Sequence, residues 1–399
     1  MSTPKPKGLS APARLHLEQR RQLLKEHPHL RSLSGPQPLQ LVAVLALLAA
    51  RWGLAYLLQD ASLVLIGVAA CTLGVWLVHA LGTYVHEQGH RLIVQSEPWA
   101  TAVDVLIEVG ITSFGTGVRS ASPCPALSVR AGALSPYCVS HPPRSRTSAQ
   151  TSYQWKHVNF HHRYLGDYEW DSEIRDLCGH VSVVRADETA WLASRGLQLF
   201  EAVLAMLPLG GLFAQDAAVG LRAALLAPDT AASDATRASR FAPPPAVVRK
   251  QRALAALSVA CHVAAWSLWG WRAALFSLWS VGVKSSRFDV VGWGQDMAEH
   301  NVDDALHPTN STYTVWNWLF CNTGYHNEHH TFPNVPGCYL PRITAASPHT
   351  FGACENHVSW PALWAMWARS GFRSFRLSPY MVEAEKAGRC DRRARPKEA

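Results

Sequence analysis

Long apolar segments are the feature that most constrains the fold. Two of them, 39–58 and 62–85, follow each other in the N-terminal third of the chain, and a second pair, 254–271 and 273–292, is divided by a turn-like sequence at Gly270 to Arg272. A helix needs about 20 apolar residues to cross the hydrocarbon core of a bilayer. In lipid every backbone polar group must also be paired internally, which favours helices. The pattern predicts an all-α integral membrane protein with about four transmembrane helices.

One charge interrupts this pattern. Arg51 lies within the first apolar segment, where an uncompensated guanidinium is costly. We expect it to reach the membrane interface or to face a neighbouring helix.

The other segments are organised around the apolar ones. Residues 1–38 are expected to form a cytosolic N-terminal segment, 39–375 a membrane domain, and 376–399 a basic C-terminal tail. The net charge is +8, with basic residues clustered at both ends, so the positive-inside rule places both ends in the cytosol. Residues 189–213 are apolar but contain Arg195, Glu201 and Pro208, which favours a helix on the membrane surface. Residues 228–246, rich in small residues and proline, are interpreted as a linker to which no structure is assigned.

Residues 118–150 separate two histidine-rich segments and look like an insertion. They contain seven Ser, five Pro and four Arg without Asp, Glu or Lys, and they have neither a helical period nor a core pattern. The segment begins with Val118 and ends with Gln150, whose codons are compatible with the two ends of an intron. We interpret it as a translated intron or a dispensable insertion. A regulatory loop over the active site is the alternative.

Histidines are concentrated in three short boxes. Box one is HEQGH, with His86 and His90, and box two is HVNFHH, with His157, His161 and His162. Box three is HNEHH, with three further histidines, His326, His329 and His330. On a helix, spacings of three and four place side chains on one face, so each box can present several imidazoles together. The three boxes lie outside the apolar segments or at their ends, on what we expect to be the cytosolic side.

Eight imidazoles exceed the four ligands of one tetrahedral zinc, so the boxes predict two metal ions. Imidazole binds iron, zinc, copper and nickel, and the ligand type does not choose among them. A site at the bilayer interface favours chemistry on an unactivated C–H bond, which requires a redox metal and dioxygen. The competing interpretation is that HEQGH is the H-E-x-x-H signature of an intramembrane zinc protease, but this leaves boxes two and three unexplained.

Longer matches surround the boxes: HHRYLGD at 161–167, AEH at 298–300 and NTGYHNEHHTFPNVPG at 322–337. With these, the chain resembles the membrane fatty-acyl desaturase and hydroxylase superfamily, and more specifically the sphingolipid Δ4 desaturases, over roughly residues 15–375. The resemblance implies a cytosolic helical cap that carries a histidine-rich diiron centre, in a multi-pass protein of the endoplasmic reticulum membrane. It implies a trans double bond between carbons 4 and 5 of dihydroceramide, made with O2 and with electrons from NADH through a reductase and cytochrome b5. Membrane lipid is the expected substrate, and no nucleic-acid partner is expected.

The resemblance also implies roles for individual residues. The implied iron ligands are nine histidines: His86, His90, His157, His161, His162, His300, His326, His329 and His330. His79, Asp296 and Asn327 are expected to support these ligands without binding metal, and Trp155 and Tyr325 are candidates for the mouth of the substrate site. Gln295 replaces a histidine that the family usually carries, which bears on the ligand shell near His300.

Several functions remain open at this point. A sphingolipid C4-hydroxylase or another acyl-lipid desaturase would begin with the same hydrogen abstraction. A lipid-binding scaffold protein without catalysis would have lost ligands, whereas this chain retains all eight box histidines.

Overall fold

The computed structural model describes residues 8–111, 150–166, 170–171, 173, 199–200, 202–208, 210, 243–286, 288–300, 308–353, 355 and 357–369. Within these ranges the chain is helical and contains no strand, only isolated β-bridges of His300 with Thr309 and of Ser311 with Glu355. The α-helices are α1 (Ala11–Glu26), α2 (Gln40–Leu57), α3 (Leu63–Gly89), α4 (Glu97–Ile111), α5 (Gln150–Lys156), α6 (Pro245–Trp269), α7 (Trp271–Lys284), α8 (Val290–Glu299), α9 (His326–Thr331), α10 (Leu340–Ala346), α11 (Pro348–Gly352) and α12 (Trp360–Arg369).

Three described helices are long and apolar enough to cross a membrane. They are α2, α3 and α6, with 18, 27 and 25 residues. The first two coincide with the predicted segments, although α3 extends to Gly89 and so carries box one. The third begins at Pro245, nine residues before the predicted start. Large apolar side chains such as Val64, Leu57 and Leu268 are exposed on these helices, as expected for surfaces that face lipid.

The fourth predicted segment differs from the structure. The helix α7 has 14 residues and ends at Lys284, and a separate helix, α8, begins at Val290. At 1.5 Å per residue α7 is about 21 Å long, shorter than the roughly 30 Å of a hydrocarbon core. The break follows from local chemistry, because the Asp289 side chain accepts a hydrogen bond from Gly292 N at 2.9 Å and caps a new helix there.

The arginine in the first apolar segment is buried and has its hydrogen-bond partner on a neighbouring helix. Arg51 is completely buried, and its Nη2 donates hydrogen bonds to Ser277 O at 3.1 Å and to Ser277 Oγ at 2.6 Å on α7. The Ser277 hydroxyl also lies 3.0 Å from His262 Nε2 on α6. Arg51 thus faces the bundle interior, one of the two placements expected from the sequence, and joins three helices through polar contacts.

Small residues bring α3 and α7 into close contact. A Cβ atom at Gly74 would lie 2.2 Å from Ser280 Oγ, and one at Gly67 would lie 2.7 Å from Trp279 Cη2. Residues Ala70–Gly74 form a π-helical segment within α3. The extra residue of a π-turn shifts the face of the helix beyond it, so this segment helps to set the direction in which box one points.

The N-terminal segment packs on box three. His16 of α1 contacts Thr331 Oγ1 through Nδ1 at 2.8 Å, and Ser10 N donates to Arg163 O just after box two at 3.1 Å. A hydrophobic cluster includes Leu23, Leu30 and Phe332 and covers the same region. The N-terminal segment therefore lies at the end of the helix bundle that carries the histidines.

Three sequence-based assignments lie largely or wholly outside the described residues. They are the insertion up to its last residue, the linker up to residue 242, and the C-terminal tail. Of the predicted surface helix, the described residues 199–200 and 202–206 are helical and expose Leu199, Phe200 and Val203.

The contact between α8 and α12 generates a test. A Cβ atom at Gly294 would lie 2.1 Å from the backbone oxygen of Trp360, so Gly294→Ala should separate these helices and lower the stability by about 1–3 kcal/mol. The matched control is Gly82→Ala in α3, where a Cβ atom meets nothing within 4 Å and stability should change by less than about 1 kcal/mol. Thermal unfolding of both variants in detergent measures the difference, and equal melting temperatures would contradict this packing.

Candidate metal centre

The three histidine boxes converge at one end of the bundle. Box one lies at the C-terminal end of α3, box two follows α5, and box three forms α9. His300, at the C-terminus of α8, lies beside boxes two and three, where its ring adjoins those of His161 and His326. The nine histidines that the family resemblance implies as ligands therefore come together from four separate segments of the chain.

The imidazoles form two groups. Group one contains five histidines whose ligand atoms all lie within 4.8 Å of one another: His86, His90, His157, His162 and His329. Group two is built on a triplet with the same property, His161, His326 and His330. His300 adjoins the triplet, with ring centroids 4.9 Å from His161 and 4.6 Å from His326.

A π-helical segment divides box two between the groups. Residues His157–His161 form one π-turn, in which His162 N donates to His157 O. A π-turn places residues five apart on one side, so His157 and His162 both enter group one, with their Nε2 atoms 3.0 Å apart. His161 faces group two, where its Nε2 lies 3.1 Å from His330 Nε2. The α-helical spacing assumed from the sequence does not predict this division.

Box three is divided by ordinary helical geometry. His326 and His330 are four residues apart, and their Nε2 atoms lie 3.1 Å apart in group two. His329 lies about 100° around the helix, and its Nε2 is 3.0 Å from His162 Nε2 in group one. The adjacent pair in box three thus serves both groups.

The nitrogen geometry fits two metal ions. Bonds of about 2.0–2.2 Å place ligands at right angles roughly 3 Å apart, which matches the Nε2 pairs of both groups. His157 and His161 direct Nδ1 to carboxylates, at 2.5 Å and 2.8 Å, so their Nε2 lone pairs face the groups. Both ring nitrogens of His86 and Nε2 of His90 are buried without a hydrogen-bond partner. Such converging acceptors are stable when a cation lies between them.

Electrostatics favours the same conclusion. Burial, together with neighbouring imidazoles, lowers the pKa of His90, His157, His162 and His329 well below the usual value. In group two, burial also lowers the pKa of His300, His326 and His330 in this way. These imidazoles are neutral at pH 7, which is the form that binds metal.

Two carboxylates next to box two were missed from the sequence. Asp171 is fully buried and accepts a hydrogen bond from His161 Nδ1 at 2.8 Å, and Glu173 accepts one from His157 Nδ1 at 2.5 Å. Burial opposes the charged form of His161, but Asp171 and Glu173 outweigh it and raise its pKa to about 9. The ten residues between His161 and Asp171 do not match a helical repeat, so periodicity does not predict this contact. The signal in the sequence is the presence of two acidic residues shortly after a histidine doublet.

The replacement of a family histidine by Gln295 is accommodated by a chain of contacts. Its Oε1 lies 2.7 Å from His79 Nε2. Gln295 lies one helical turn before Glu299 on α8, and the Oε2 of Glu299 is 3.6 Å from His326 Nδ1. The supporting role of His79 stays a prediction.

The other supporting and mouth candidates are less directly placed. Asn327 Oδ1 accepts from Thr309 Oγ1 at 2.9 Å. Asp296 is exposed and, among the described residues, has no hydrogen bond to an imidazole. Trp155 is half-buried against Phe160, and Tyr325 packs against Tyr313 with a ring-centroid distance of 4.9 Å. The carboxylates that contact the proposed histidine ligands are those of Asp171 and Glu173, in place of the expected side chains of Asp296 and Asn327.

The acids within boxes one and three anchor the backbone. Glu87 Oε2 accepts from Gly337 N at 3.0 Å, so the glutamate of HEQGH is engaged with the loop after box three. Glu328 is fully buried and accepts hydrogen bonds from Ser311, Tyr313 and Thr344, each at 2.5 Å. A zinc protease requires its glutamate at the metal-bound water. The position of Glu87 and the five-histidine group do not fit that arrangement.

The Glu328 contacts generate a test of how α9 is held. Tyr313→Phe removes one hydrogen bond to a buried carboxylate and should lower the stability by about 1.5–3 kcal/mol. Tyr56→Phe is the matched control, because the Tyr56 side chain is exposed on α2. Thermal unfolding in detergent measures both, and a Tyr313→Phe protein as stable as the control would show that this hydroxyl does not hold α9.

The fold and the site together define a class: a helical protein with helices long and apolar enough to span a membrane and with two histidine groups at one end of its bundle that could each hold a metal ion. The family model for fatty acid desaturases matches residues 148–362, more than half of the chain. The chain belongs to the fatty acid desaturase family, and it is an oxidoreductase.

Individual relatives cover most of the chain at low identity. The sphingolipid delta(4)-desaturase/C4-monooxygenase DES2 of Rattus norvegicus is 26% identical over 351 residues, which are 88% of this chain and 87% of the relative. The sphingolipid delta(4)-desaturase DES1-like protein of Oryza sativa is 24% identical over 346 residues, 86% of this chain and 83% of the relative. The DES1 protein of Drosophila melanogaster is 39% identical over 67 residues, 17% of this chain and 21% of the relative. No solved structure matches the chain.

Proposed function

We propose that the protein is an O2-dependent sphingolipid Δ4 desaturase that forms a trans double bond between carbons 4 and 5 of the long-chain base of dihydroceramide. The observation that carries this proposal is the pair of histidine groups at one end of a membrane-embedded bundle. The names of the relatives from rat and rice supply the substrate class. The rat relative is also named a C4-monooxygenase, which makes C4 hydroxylation the second candidate reaction.

Group one and group two would each hold one iron ion. Five imidazoles are available in group one, and the triplet of group two has His300 beside it. Burial lowers the pKa of ligands such as His157 and His330, which keeps these rings neutral, whereas a metal ion would displace the Nε2 proton of His161. When bound, the irons would supply the oxidising chemistry that removes hydrogen from an unactivated carbon with dioxygen. An all-imidazole set adds no negative charge to the metals, in contrast to carboxylate-rich sites.

The side chains of the protein position and shield the centre. Asp171 and Glu173 select the tautomers of His161 and His157 that direct Nε2 into the groups. The hydroxyls around Glu328 fix α9 and therefore three of the ligands. All nine histidines are buried or nearly so, which limits the access of water to a reactive centre. Trp155 and Tyr325, beside boxes two and three, are proposed to contact the incoming lipid.

We propose that both termini and the metal centre face the cytosol in the endoplasmic reticulum membrane. The packing of α1 on box three supports a common side for the N-terminal segment and the histidines. Trp99, at the start of α4 just after box one, is 69% exposed, as expected for an aromatic anchor at an interface. A cytosolic centre is accessible to cytochrome b5 and its NADH-dependent reductase, the proposed electron donors.

The reaction is tested by lipid analysis in a host that lacks its own sphingolipid Δ4 desaturase. Expression of the chain should convert dihydroceramide to ceramide with a trans double bond, and His329→Ala should lower product by more than about 100-fold because group one loses a ligand. His357→Ala is the matched control, since its side chain is 79% exposed and lies outside both groups. Phytoceramide as the main product would favour the hydroxylase, and unchanged lipids with a well-folded, iron-loaded protein would contradict both reactions.

The metal content is tested separately. The purified protein should contain about two irons per chain, because each histidine group offers at least three ligand atoms within reach of a single ion. Elemental analysis measures iron and zinc together. A single zinc without iron would contradict the proposed diiron centre.

A further inference from the structure

Glu173 lies where the two histidine groups meet. Its Oε1 accepts a hydrogen bond from Nδ1 of His157, a member of group one, at 2.5 Å. Its Oε2 lies 3.6 Å from Nε2 of His161 and 3.8 Å from Nε2 of His300, both on the group-two side. One carboxylate therefore contacts ligands of both proposed metal sites.

We propose that Glu173 is itself a metal ligand of group two through Oε2, while Oε1 fixes the orientation of His157 in group one. This inference rests on the proposed diiron centre. It adds an oxygen ligand to a site whose other ligands are imidazoles. One carboxylate would then orient a ligand of the first metal and bind the second.

The distances distinguish coordination from hydrogen bonding. Separations of 3.6 Å and 3.8 Å are too long for hydrogen bonds between nitrogen and oxygen. Two ligands bound at about 2.1 Å are separated by such distances when the angle at the metal is roughly 120–130°. The Oε2 atom thus lies at the spacing of another ligand of the same ion.

The contacts of His161 place Oε2 of Glu173 near the ring nitrogen that faces group two. Asp171 already accepts the hydrogen from His161 Nδ1, so Glu173 is not needed to select the His161 tautomer. Instead Oε2 lies on the side of Nε2, the nitrogen that faces His330 at 3.1 Å.

The backbone near Glu173 is fixed by the same network. Glu173 N donates to Asp171 Oδ1 at 2.9 Å, and Gly166 N donates to Asp171 Oδ2 at 2.9 Å. Asp171 is fully buried, whereas the Glu173 side chain is 23% exposed. Asp171 therefore anchors both the ligand His161 and the residue that carries Glu173, which holds the carboxylate at a defined distance from group two.

Coordination by Glu173 would make the two irons unequal. Group one has five imidazoles, and group two would have its triplet, the adjoining His300 and one anionic oxygen. An anionic oxygen is a harder ligand than imidazole and stabilises the more highly charged state of a metal. The group-two iron should consequently be the more easily oxidised of the pair.

The test measures iron and does not depend on lipid turnover. Full-length protein is purified as wild type, His90→Ala, and His90→Ala with Glu173→Gln, so that weakening group one leaves the group-two iron to be followed. We expect about two irons in the wild-type protein and about one iron in His90→Ala. The double variant should contain less iron than His90→Ala and should release it to a ferrous chelator roughly tenfold faster or more. Glu97→Gln in the His90→Ala background is the matched control, because this carboxylate is exposed and pairs with Arg91. The same release rate in the Glu173→Gln and Glu97→Gln proteins would overturn the proposal.

A second measurement uses single variants, in case the double variant does not fold. Mössbauer spectra of ⁵⁷Fe-loaded Glu173→Gln, His300→Ala and His90→Ala proteins are compared. We expect Glu173→Gln to change the same iron signal as His300→Ala; a change only in the signal affected by His90→Ala would show that Glu173 acts through His157 alone. Wild-type protein without iron would contradict the proposed function, whereas two irons unaffected by Glu173→Gln would contradict this inference only.

Discussion

The convergence of nine imidazoles is the constraint on which the rest of the structure depends. Each ring removed from water loses its hydration, so its two nitrogens must find partners inside the protein. In group one and group two the Nε2 atoms of several rings face one another at about 3 Å, and the Nδ1 atoms of His157 and His161 face Glu173 and Asp171. The surrounding helices bring these rings together from four segments of the chain.

The supports for this convergence come from parts of the chain that carry no histidine box. Gly337 N binds Glu87 in box one, and Ser311, Tyr313 and Thr344 bind Glu328 in box three. Each box therefore contains an acid that fastens its backbone while the histidines point elsewhere. A buried carboxylate with several donors is stable only when all of them are present, so these contacts also couple the loops after α8 to α3 and α9.

The membrane-facing part of the bundle follows a different physical rule. Lipid offers no hydrogen bonds, and Nη2 of Arg51 finds its partner on a neighbouring helix, at Ser277. Glycines such as Gly74 allow α3 and α7 to approach closely, and close approach replaces the hydrophobic effect as the source of helix association. This tight packing holds the C-terminal end of α3, and with it His86 and His90, at a fixed position beneath the other boxes.

Much of the site was predictable from the sequence, because its signals are local. The boxes, the nine histidines and the first two membrane helices depend on residue type and short spacing, which the chain displays directly. The division of box two between two groups, the length of α7, and the roles of Asp171 and Glu173 were decided only by the tertiary structure. A π-turn, a cap at Asp289 and a contact between loop and helix arise from competition among hydrogen-bond partners that are distant in sequence. Local periodicity contains no information about which of those partners prevails.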